Sequence, residues 1–409
     1  MRFASAITDA TDLEQATAEL LQTVAPRTTA GMVDLGLLFS TEHFRDELDS
    51  IVESINSEFP NAVILGCTAE GTIGREKELE RVPSLSLLVG SLPDVLLRPF
   101  HVRQEDIESA KNALDWERIV AVAPESKPAF IAFADPFRVD VYGFLEQINE
   151  AFPGAPLVGG VASAGHEPNE NRLIVDGRIV SQGIVGVALT GPFDVQTVVS
   201  QGCRPIGKPF VITKAQRNII RELGGHPALE QLHHVLTDLS EEDEQLARQA
   251  LFLGRVIDEY KGNFTRGDFL IHNIIGADRK NGAIAIAGFA KVGTTVQFHI
   301  RDAETADEDL HALLAPYART GVCGAMLFGC NGRGTRMWPA PHHDAGVLYK
   351  VLGDVPVAGF FCGGEFGPIG GKNFVHGFTA SIALFREPES PTRPEASKPS
   401  REVKGIDHL

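Results

Sequence analysis

The chain has 409 residues, of which 43% are hydrophobic, and this is enough to bury a large core in two or three domains. Its 54 acidic residues against 37 basic ones give a formal net charge of −17, so most of its surface repels phosphate backbones and anionic membranes. We therefore expect a soluble globular protein that neither binds nucleic acid nor inserts into a membrane.

The first 29 residues are expected to form an N-terminal segment with an amphipathic helix. They lack a basic stretch followed by an apolar one, and no apolar run along the chain approaches the roughly 20 residues that span a bilayer. We therefore expect a cytoplasmic protein. Reduced thiols are also expected, because the five cysteines are scattered and show no CxxC spacing: Cys67, Cys203, Cys323, Cys330 and Cys362.

A pattern of strand, helix and glycine-ended strand occurs three times along the chain. Each copy opens with a strand-like run, namely LGLLFS (35–40), AFIAFAD (129–135) or AMLFGCNGRG (325–334). Each closes on a glycine-rich run, namely FPNAVILGCTAEG (59–71), FPGAPLVGGVASAG (152–165) or VPVAGFFCGGEFG (355–367), and a further strand-like run follows. The intervening helix is marked in the first copy by apolar residues on one helical face, Phe44, Leu48, Ile51, Val52 and Ile55, and a short helix is predicted over 343–352 in the third.

These repeats predict an α/β protein (α+β, with mixed sheets) made of two packed pseudo-symmetric halves, with helices on the outer faces. Ligands in such units bind at the carboxyl ends of strands, where backbone amides are free. The alternative is that the glycines only permit tight turns.

The chain changes character after residue 194, which we take as the domain boundary. Thr213 and Gln216 have the spacing of a capping box and predict a helix that ends at Gly224. Ser240 is predicted to begin another helix, which stops at Gly254. Three β-rich runs over 268–300 predict an antiparallel meander. The final residues, 387–409, are rich in Pro, Ser, Glu and Lys and are expected to be disordered.

Polar side chains concentrate in the third repeat. An arginine fork such as that of Arg333 can bind a carboxylate through two hydrogen bonds, and Glu365 or Asp344 would suit an ammonium group. The sequence therefore predicts a pocket for a small zwitterion or carboxylate, and the alternative is a structural ion pair between Arg333 and Glu365. The candidate ligand-binding residues are Cys330, Asn331, Arg333, His343, Asp344, Glu365 and His376.

Two other chemistries use residues of the same repeat. A metal site could draw on His342, His343, Asp344, Glu365 and His376, although HExxH spacing is absent. A nucleophilic site could use Cys330 or Cys362 with His343 or His376 as base and Asp344 as orienting group. Surface histidines and packed cysteines are the structural alternatives, and we expect neither a metal nor a cofactor.

The first repeat carries a secondary candidate loop, formed by Cys67, Thr68 and Glu70. In the second repeat, Gly160 and Ser163 stand where Cys67 and Glu70 stand in the first. Only some of the repeats can therefore bind the same ligand. Phosphate-binding spacings such as GxGxxG and GxxxxGK[ST] do not occur.

Several of these segments together resemble a known family. LGCTAEGTIG, SQGCRPIGKPFVITKAQRNIIRELGGHPALEQL, LFGCNGRG and VPVAGFFCGGEFGPIGGKNFVHGFTASIALF are similar to the FIST family, named for F-box and intracellular signal transduction proteins. The likeness covers residues 30–385 and implies an N-terminal domain over 30–194 and a C-terminal domain over 195–386.

The resemblance implies a cytoplasmic sensory domain that binds small ligands, amino acids among them. Family members occur fused to receptors, kinases or an F-box, and no such segment is recognisable in this sequence, so we expect any signal to pass to a separate protein. A non-enzymatic sensor is the main hypothesis. The alternatives are a cysteine- or metal-assisted hydrolase of a small amide and a protein-interaction scaffold. The sequence does not predict the oligomeric state.

Overall fold

The computed structural model describes residues 1–29, 31–265 and 267–387, so all but the first residue of the expected disordered tail lies outside the described part of the chain. The helices are α1 Leu13–Val24, α2 Leu48–Glu58, α3 Gln104–Ser109, α4 Ala113–Val120, α5 Val141–Ala151, α6 Ala228–Thr237, α7 Glu241–Gln249, α8 Ala303–Leu314 and α9 His343–Leu352. The strands are β1 Arg2–Thr8, β2 Leu35–Thr41, β3 Val63–Ala69, β4 Gly71–Gly74, β5 Lys77–Glu80, β6 Leu85–Ser91, β7 Leu96–Val102, β8 Ala129–Ala134, β9 Leu157–Val161, β10 Leu173–Val175, β11 Arg178–Val180, β12 Ile184–Thr190, β13 Asp194–Gln201, β14 Cys203–Gln216, β15 Ile219–Leu223, β16 His226–Pro227, β17 Leu251–Val256, β18 Phe269–Asp278, β19 Ala283–Ile286, β20 Thr295–Arg301, β21 Val322–Cys330, β22 Val357–Cys362, β23 Glu365–Ile369, β24 Lys372–His376 and β25 Thr379–Arg386. The mixed α/β class is confirmed. Among the described residues, no helix combines the length and the apolar character needed to cross a membrane.

Three six-stranded sheets share one strand order. Sheet 1 has the order β1-β6-β2-β3-β10-β11, sheet 2 has the order β7-β12-β8-β9-β23-β24, and sheet 3 has the order β13-β25-β21-β22-β4-β5. In each sheet the third and fourth strands are parallel, because the chain passes through a helix between them. All other neighbouring strands of these sheets are antiparallel. These parallel pairs are the strand-like runs of the three sequence repeats.

The outer hairpin of every sheet comes from a different repeat. The hairpin β4–β5 follows β3 of sheet 1 along the chain but pairs with β22 of sheet 3. Likewise β10–β11 follows β9 of sheet 2 and pairs with β3 of sheet 1, while β23–β24 follows β22 of sheet 3 and pairs with β9 of sheet 2. The exchange is cyclic, so no sheet is complete without a hairpin from its neighbour.

The inner faces of the three sheets meet in one apolar core, and helices cover the outer faces. Phe39, Phe133 and Phe328 occupy corresponding positions on β2, β8 and β21, with ring centroids 5.2 to 6.1 Å apart in edge-to-face contact. Helices α1 and α2 pack on sheet 1, α3 to α5 on sheet 2, and α8 and α9 on sheet 3. The predicted apolar face of α2 is confirmed as buried, except that Phe44, although buried, lies in a 3-10 turn that precedes the helix.

One glycine in each repeat sets the register of the parallel pair. A Cβ atom on Gly66, Gly159 or Gly359 would lie 1.8, 1.9 or 1.7 Å from the carbonyl oxygen of the residue opposite on the neighbouring strand. No other residue type fits at that separation, so these glycines permit the close approach of the two strands rather than a turn.

The part of the chain between β13 and α8 forms a closed β-barrel. Its strands follow the order β14-β20-β17-β18-β19-β15, and β14 also pairs with β15, which closes the barrel; β16 extends from β15. Its interior holds a separate apolar core against which α6 and α7 pack. The barrel was not predicted as a unit.

Three predictions in this region need correction. The helix predicted over 213–224 is wrong, because those residues form the hairpin of β14 and β15, with Arg217 at a φ of 55° in its turn. The helix predicted at Ser240 begins there, with its hydroxyl accepting the Asp243 amide at 3.1 Å, but it ends at Gln249 and β17 follows. The meander is wrong for its third strand, since β20 pairs with β14 and β17 instead of β19.

Candidate functional site

The third-repeat loop holds a fully buried ion pair. Arg333 follows β21, and its Nε and Nη2 donate to the two carboxylate oxygens of Asp344 in the first turn of α9, at 2.5 and 2.8 Å. The ring of Trp338 lies 4.8 Å from the guanidinium carbon. Both charged side chains are almost completely inaccessible to solvent. Two parallel hydrogen bonds and an aromatic face compensate the cost of removing Arg333 from water.

This pairing bears directly on the expected ligand contacts. The structural alternative in which Arg333 pairs with Glu365 is wrong, because Asp344 occupies the guanidinium fork. The two residues assigned to opposite ends of a zwitterion therefore bind each other. A ligand carboxylate would reach Arg333 only by displacing Asp344, and direct ligand binding by Arg333 stays a prediction.

Two buried carboxyl groups lie near this pair. One oxygen of Glu365 accepts from the amide and the hydroxyl of Thr379, at 3.2 and 2.8 Å, and one oxygen of Glu78 accepts from the Ala345 amide at 2.9 Å. The second oxygen of Glu78 has no hydrogen-bond partner among the described residues, whereas the Glu365 carboxyl group has the Cys330 thiol beside it as a weak donor. Burial raises the pKa of both groups to about 8, and the nearby Asp344 carboxylate also raises that of Glu78.

The charge of the cluster follows from these pKa directions. Burial alone would raise the pKa of Asp344, but the charge and hydrogen bonds of Arg333 outweigh it and lower the pKa to about 2. At neutral pH, Arg333 and Asp344 are therefore charged while Glu78 and Glu365 are mostly protonated. The cluster is close to neutral, as a site with so little access to water requires.

The two candidate histidines have different environments. His343 lies with Nδ1 3.0 Å from Asp344 and Nε2 2.9 Å from Asp307, and its ring stacks flat on Trp338 at 3.7 Å. It thus belongs to the Arg333 cluster. His376 is buried on β24 directly opposite Glu365 of β23, where its Nε2 donates to the carbonyl of Gly367 at 2.9 Å, and burial lowers its pKa to about 4. His376 is a neutral structural residue in this arrangement.

Four of the five cysteines, Cys67, Cys203, Cys330 and Cys362, are buried, and no histidine of the described chain is hydrogen-bonded to any of them. Burial raises the pKa of Cys330 to about 12 and that of Cys67 and Cys362 well above its usual range. The thiolate that a nucleophilic mechanism needs is therefore disfavoured. In the described ranges, no group of three or more His, Cys, Asp or Glu side chains is arranged to hold a metal ion. Asn331 has a buried side-chain oxygen without a partner among those residues.

The secondary candidate loop lies against the third-repeat loop. Cys67 and Thr68 are buried, whereas the Glu70 carboxylate binds Arg336 of the third repeat through contacts of 2.6 and 3.1 Å. Thr335 also donates to Glu80 through its amide and hydroxyl, at 2.8 and 2.9 Å. These contacts exist because the exchanged hairpin β4–β5 brings the first repeat to sheet 3.

An open cavity of about 450 Å³ lies beside the third-repeat loop, at the junction of the barrel with sheet 3. It is lined by Ala247, Arg248, Gln249, Ala250, Leu251, Phe252, Asn273, Ile274, Arg301 and Phe378. One N–H of Arg301 donates to the carbonyl of Gly332 at 3.2 Å, and no carboxylate of the described chain pairs with this arginine. Arg301 was not predicted as a site residue, because it directly follows a β-rich run and nothing in its local sequence marks it.

Phe378 connects this cavity with the buried ion pair. Its ring packs on Phe252 with centroids 4.3 Å apart, while its carbonyl accepts from Arg333 Nη1 at 3.4 Å and from the Gly202 amide at 2.9 Å. Its φ of 61° is unfavourable for a bulky side chain, and such strain persists only where the surroundings enforce it. Phe378 therefore contacts both the cavity and Arg333.

The chain is similar in sequence to mycobacterial proteins of nearly the same length. The chain is 36% identical over 389 residues to the uncharacterized protein Rv0628c of Mycobacterium tuberculosis, covering 94% of this chain and 100% of the relative. It is 34% identical to the uncharacterized protein Mb0898c of Mycobacterium bovis, covering 94% and 99%. A crystal structure of cyanuric acid hydrolase from A. caulinodans aligns with 95% of this chain and 100% of its own at 9% identity, but with a TM-score of 0.33 this likeness supports no conclusion.

Family models cover most of the sequence. The FIST N domain matches residues 34–226 and the FIST C domain matches residues 228–368. FIST domains are sensory domains of signal transduction. This chain belongs to the FIST family.

Proposed function

We propose that this protein senses a small molecule that binds in the cavity between the barrel and the third-repeat loop. The observation that carries this proposal is the composition of the cavity: an arginine without an acidic partner faces about 450 Å³ of open space beside two phenylalanines. That volume is within the range of ligand pockets, which are mostly apolar and contain a few polar groups that orient the ligand. The Arg301 fork favours a small carboxylate or an amino acid.

The same geometry supplies a route from ligand to protein conformation. A ligand that packs on the Phe252–Phe378 pair would contact a residue whose carbonyl is 3.4 Å from Arg333, and Arg301 itself holds the loop at Gly332. Binding shifts the conformational equilibrium by the difference in affinity for the two states. In this proposal the protein works in the cytoplasm and passes the shifted conformation to a separate signalling protein.

The alternatives are supported less well by the site. A cysteine-assisted hydrolase requires a thiolate near a base, whereas Cys330 and Cys362 are buried with raised pKa values. A scaffold whose glycine loops are only architectural leaves the unpaired Arg301 in its cavity without a role. We therefore place the sensor first.

A thermal-shift screen of amino acids and small organic acids tests the proposal. A ligand present at 100 times its dissociation constant should stabilise the native protein by about 2.7 kcal/mol. Asn273→Trp fills the cavity and should abolish the shift. Ile275→Trp, on the same strand but outside the lining, is the matched control and should retain it. The proposal is wrong if no compound stabilises the native protein or if the shift survives in Asn273→Trp.

A further inference from the structure

We infer that the ligand is an organic anion with an aliphatic or aromatic tail and no ammonium group. The inference rests on the proposed function, because it concerns the same cavity. It narrows the ligand from carboxylates and amino acids together to carboxylates alone, and it replaces the expectation of a zwitterion.

The charge of the cavity wall is the first argument. Two of its described lining residues are charged and both are arginines. Arg248 is exposed and bound to Glu244 at 2.7 Å, which leaves Arg301 as the cation available to a ligand. No aspartate or glutamate is present among those lining residues. An ammonium group would therefore lie close to a guanidinium of like charge and would find no carboxylate among these lining residues.

The acids near the cavity are engaged by other groups in the observed arrangement, and the carboxylate of Glu244 is bound by Arg248 at 2.7 Å. Asp344 is held by both arms of the Arg333 fork, and Glu365 accepts two hydrogen bonds from Thr379. Both are almost completely buried. Neither is among the residues that line the cavity.

The hydrogen-bonding capacity of Arg301 is the second argument. A guanidinium has five N–H donors, and here one donates to the carbonyl of Gly332. The guanidinium carbon lies 5.9 Å from the ring centroid of Phe378. The loop and the ring therefore fix the orientation of the fork while other donors stay available. A carboxylate fits two parallel donors of this kind, which an ammonium or hydroxyl group does not.

The remaining wall determines the rest of the ligand. Phe252 and Phe378 form a tilted aromatic pair, and Leu251, Ile274 and two alanines extend the apolar surface. An apolar tail that leaves water for this surface gains about 25 cal/mol per Å² of area buried. Asn273 on β18 and Gln249 at the end of α7 are the uncharged polar residues of the wall, and they tolerate a small hydroxyl or carbonyl group on the tail.

Matched pairs of compounds test this ligand class. The pairs are hexanoate and norleucine, 4-methylpentanoate and leucine, and 3-phenylpropanoate and phenylalanine, with inorganic phosphate as the anion without a tail. Calorimetric titration of the full chain should show that at least one acid binds and that its 2-amino counterpart binds at least tenfold more weakly. Phosphate should also bind at least tenfold more weakly than that acid.

Arginine variants assign the binding to Arg301. Arg301→Lys keeps the charge but loses the fork, and should weaken binding of the acid at least tenfold. Arg301→Met should abolish it. Arg118→Met is the control and should change the affinity by less than twofold, because that side chain is exposed, is bound to Asp115 and lies outside the cavity lining. Retained affinity in Arg301→Met would overturn the inference.

The outcomes separate this inference from the proposed function. If an amino acid binds as tightly as its matched acid, and Asn273→Trp abolishes that binding, the sensor proposal stands and the ligand class is wrong. The ligand class is also wrong if the broad screen finds a ligand but none of the acids binds. If no compound in either experiment binds, the proposed function itself fails.

Discussion

At the scale of single residues, Arg333 and Asp344 are charged in surroundings that exclude water. Removing one partner leaves the other as an uncompensated buried charge, which commonly costs 3–5 kcal/mol, whereas replacing both by apolar residues is often nearly neutral. We expect Arg333→Met to lower the free energy of unfolding by about 3–5 kcal/mol. Arg333→Met combined with Asp344→Leu should recover most of the loss.

Urea unfolding followed by far-ultraviolet circular dichroism measures both variants, and the double-variant comparison isolates the coupling of the pair. A loss below about 1 kcal/mol in the single variant would show that solvent reaches the pair. That result would also make Arg333 accessible to a ligand carboxylate.

A pH dependence of stability follows from Glu365. Burial raises its pKa from 4.5 to about 8, so the folded protein binds this proton more tightly than the unfolded chain does. The resulting stabilisation is complete below pH 4.5 and is lost as the pH rises to about 8. Glu365→Gln replaces the ionisable carboxyl group by an amide that does not titrate. The slope of the unfolding free energy against pH should therefore become less steep over that window, by up to about 1.4 kcal/mol per pH unit.

Chemical unfolding between pH 5 and 9 measures this effect. The exposed Glu125→Gln is the control and should leave the pH dependence of the native protein unchanged. Glu365→Gln with the slope of the native protein would mean that Glu365 ionises without penalty.

At the scale of secondary-structure elements, close strand pairing depends on one glycine in each parallel pair. In Gly359→Ala the added carbon would meet the Leu327 carbonyl oxygen at 1.7 Å, so the strands β21 and β22 must separate. We expect a loss of about 3 kcal/mol or more in unfolding free energy, at the upper end of overpacking effects.

Gly346→Ala is the matched control because it lies within α9 and an added Cβ would have no atom within 4 Å. It should stabilise the protein by up to about 1 kcal/mol, since alanine favours the helix. Thermal unfolding compares the two variants. A Gly359→Ala protein as stable as the native one would show that the pair tolerates a wider spacing.

Local periodicity accounts for the elements that the sequence predicts correctly. The apolar spacing of α2 depends on contacts within one helix face, and the structure buries that face. The helix predicted over 213–224 is wrong because a four-residue capping pattern competes with Ile212, Ile220 and Leu223, which the barrel buries as strand residues. Tertiary pairing outweighs a local signal of about 1 kcal/mol.

The parts of the site that the sequence could not predict come from distant segments. Glu78 reaches Ala345, 267 residues away, because the hairpin β4–β5 joins the sheet of another repeat. Arg301 faces Gly332 because β20 belongs to a closed barrel that no single repeat predicts. The polar residues of the third-repeat loop could be predicted as a group because they lie close together in the sequence. Their partners depend on topology.

At the scale of the whole molecule, the cyclic exchange of hairpins couples the three sheets. Sheet 1 contains β10–β11 from the second repeat, sheet 2 contains β23–β24 from the third, and sheet 3 contains β4–β5 from the first. Opening any one sheet removes a hairpin from the next and exposes the shared phenylalanine core. We therefore expect the three sheets to unfold as one cooperative unit.

Hydrogen exchange of the native protein tests this coupling. Gly66→Ala alters sheet 1 alone, because its added carbon would contact Leu38 and Ile174 of that sheet. If the sheets are coupled, this variant lowers protection of the amides of β8 in sheet 2 and β21 in sheet 3 as much as that of β2, since global unfolding limits exchange in all three. Loss of protection confined to sheet 1 would contradict the coupling and would mean that each sheet opens independently. The barrel has its own core, so its amides serve as the internal reference and should keep the protection that they have in the native protein.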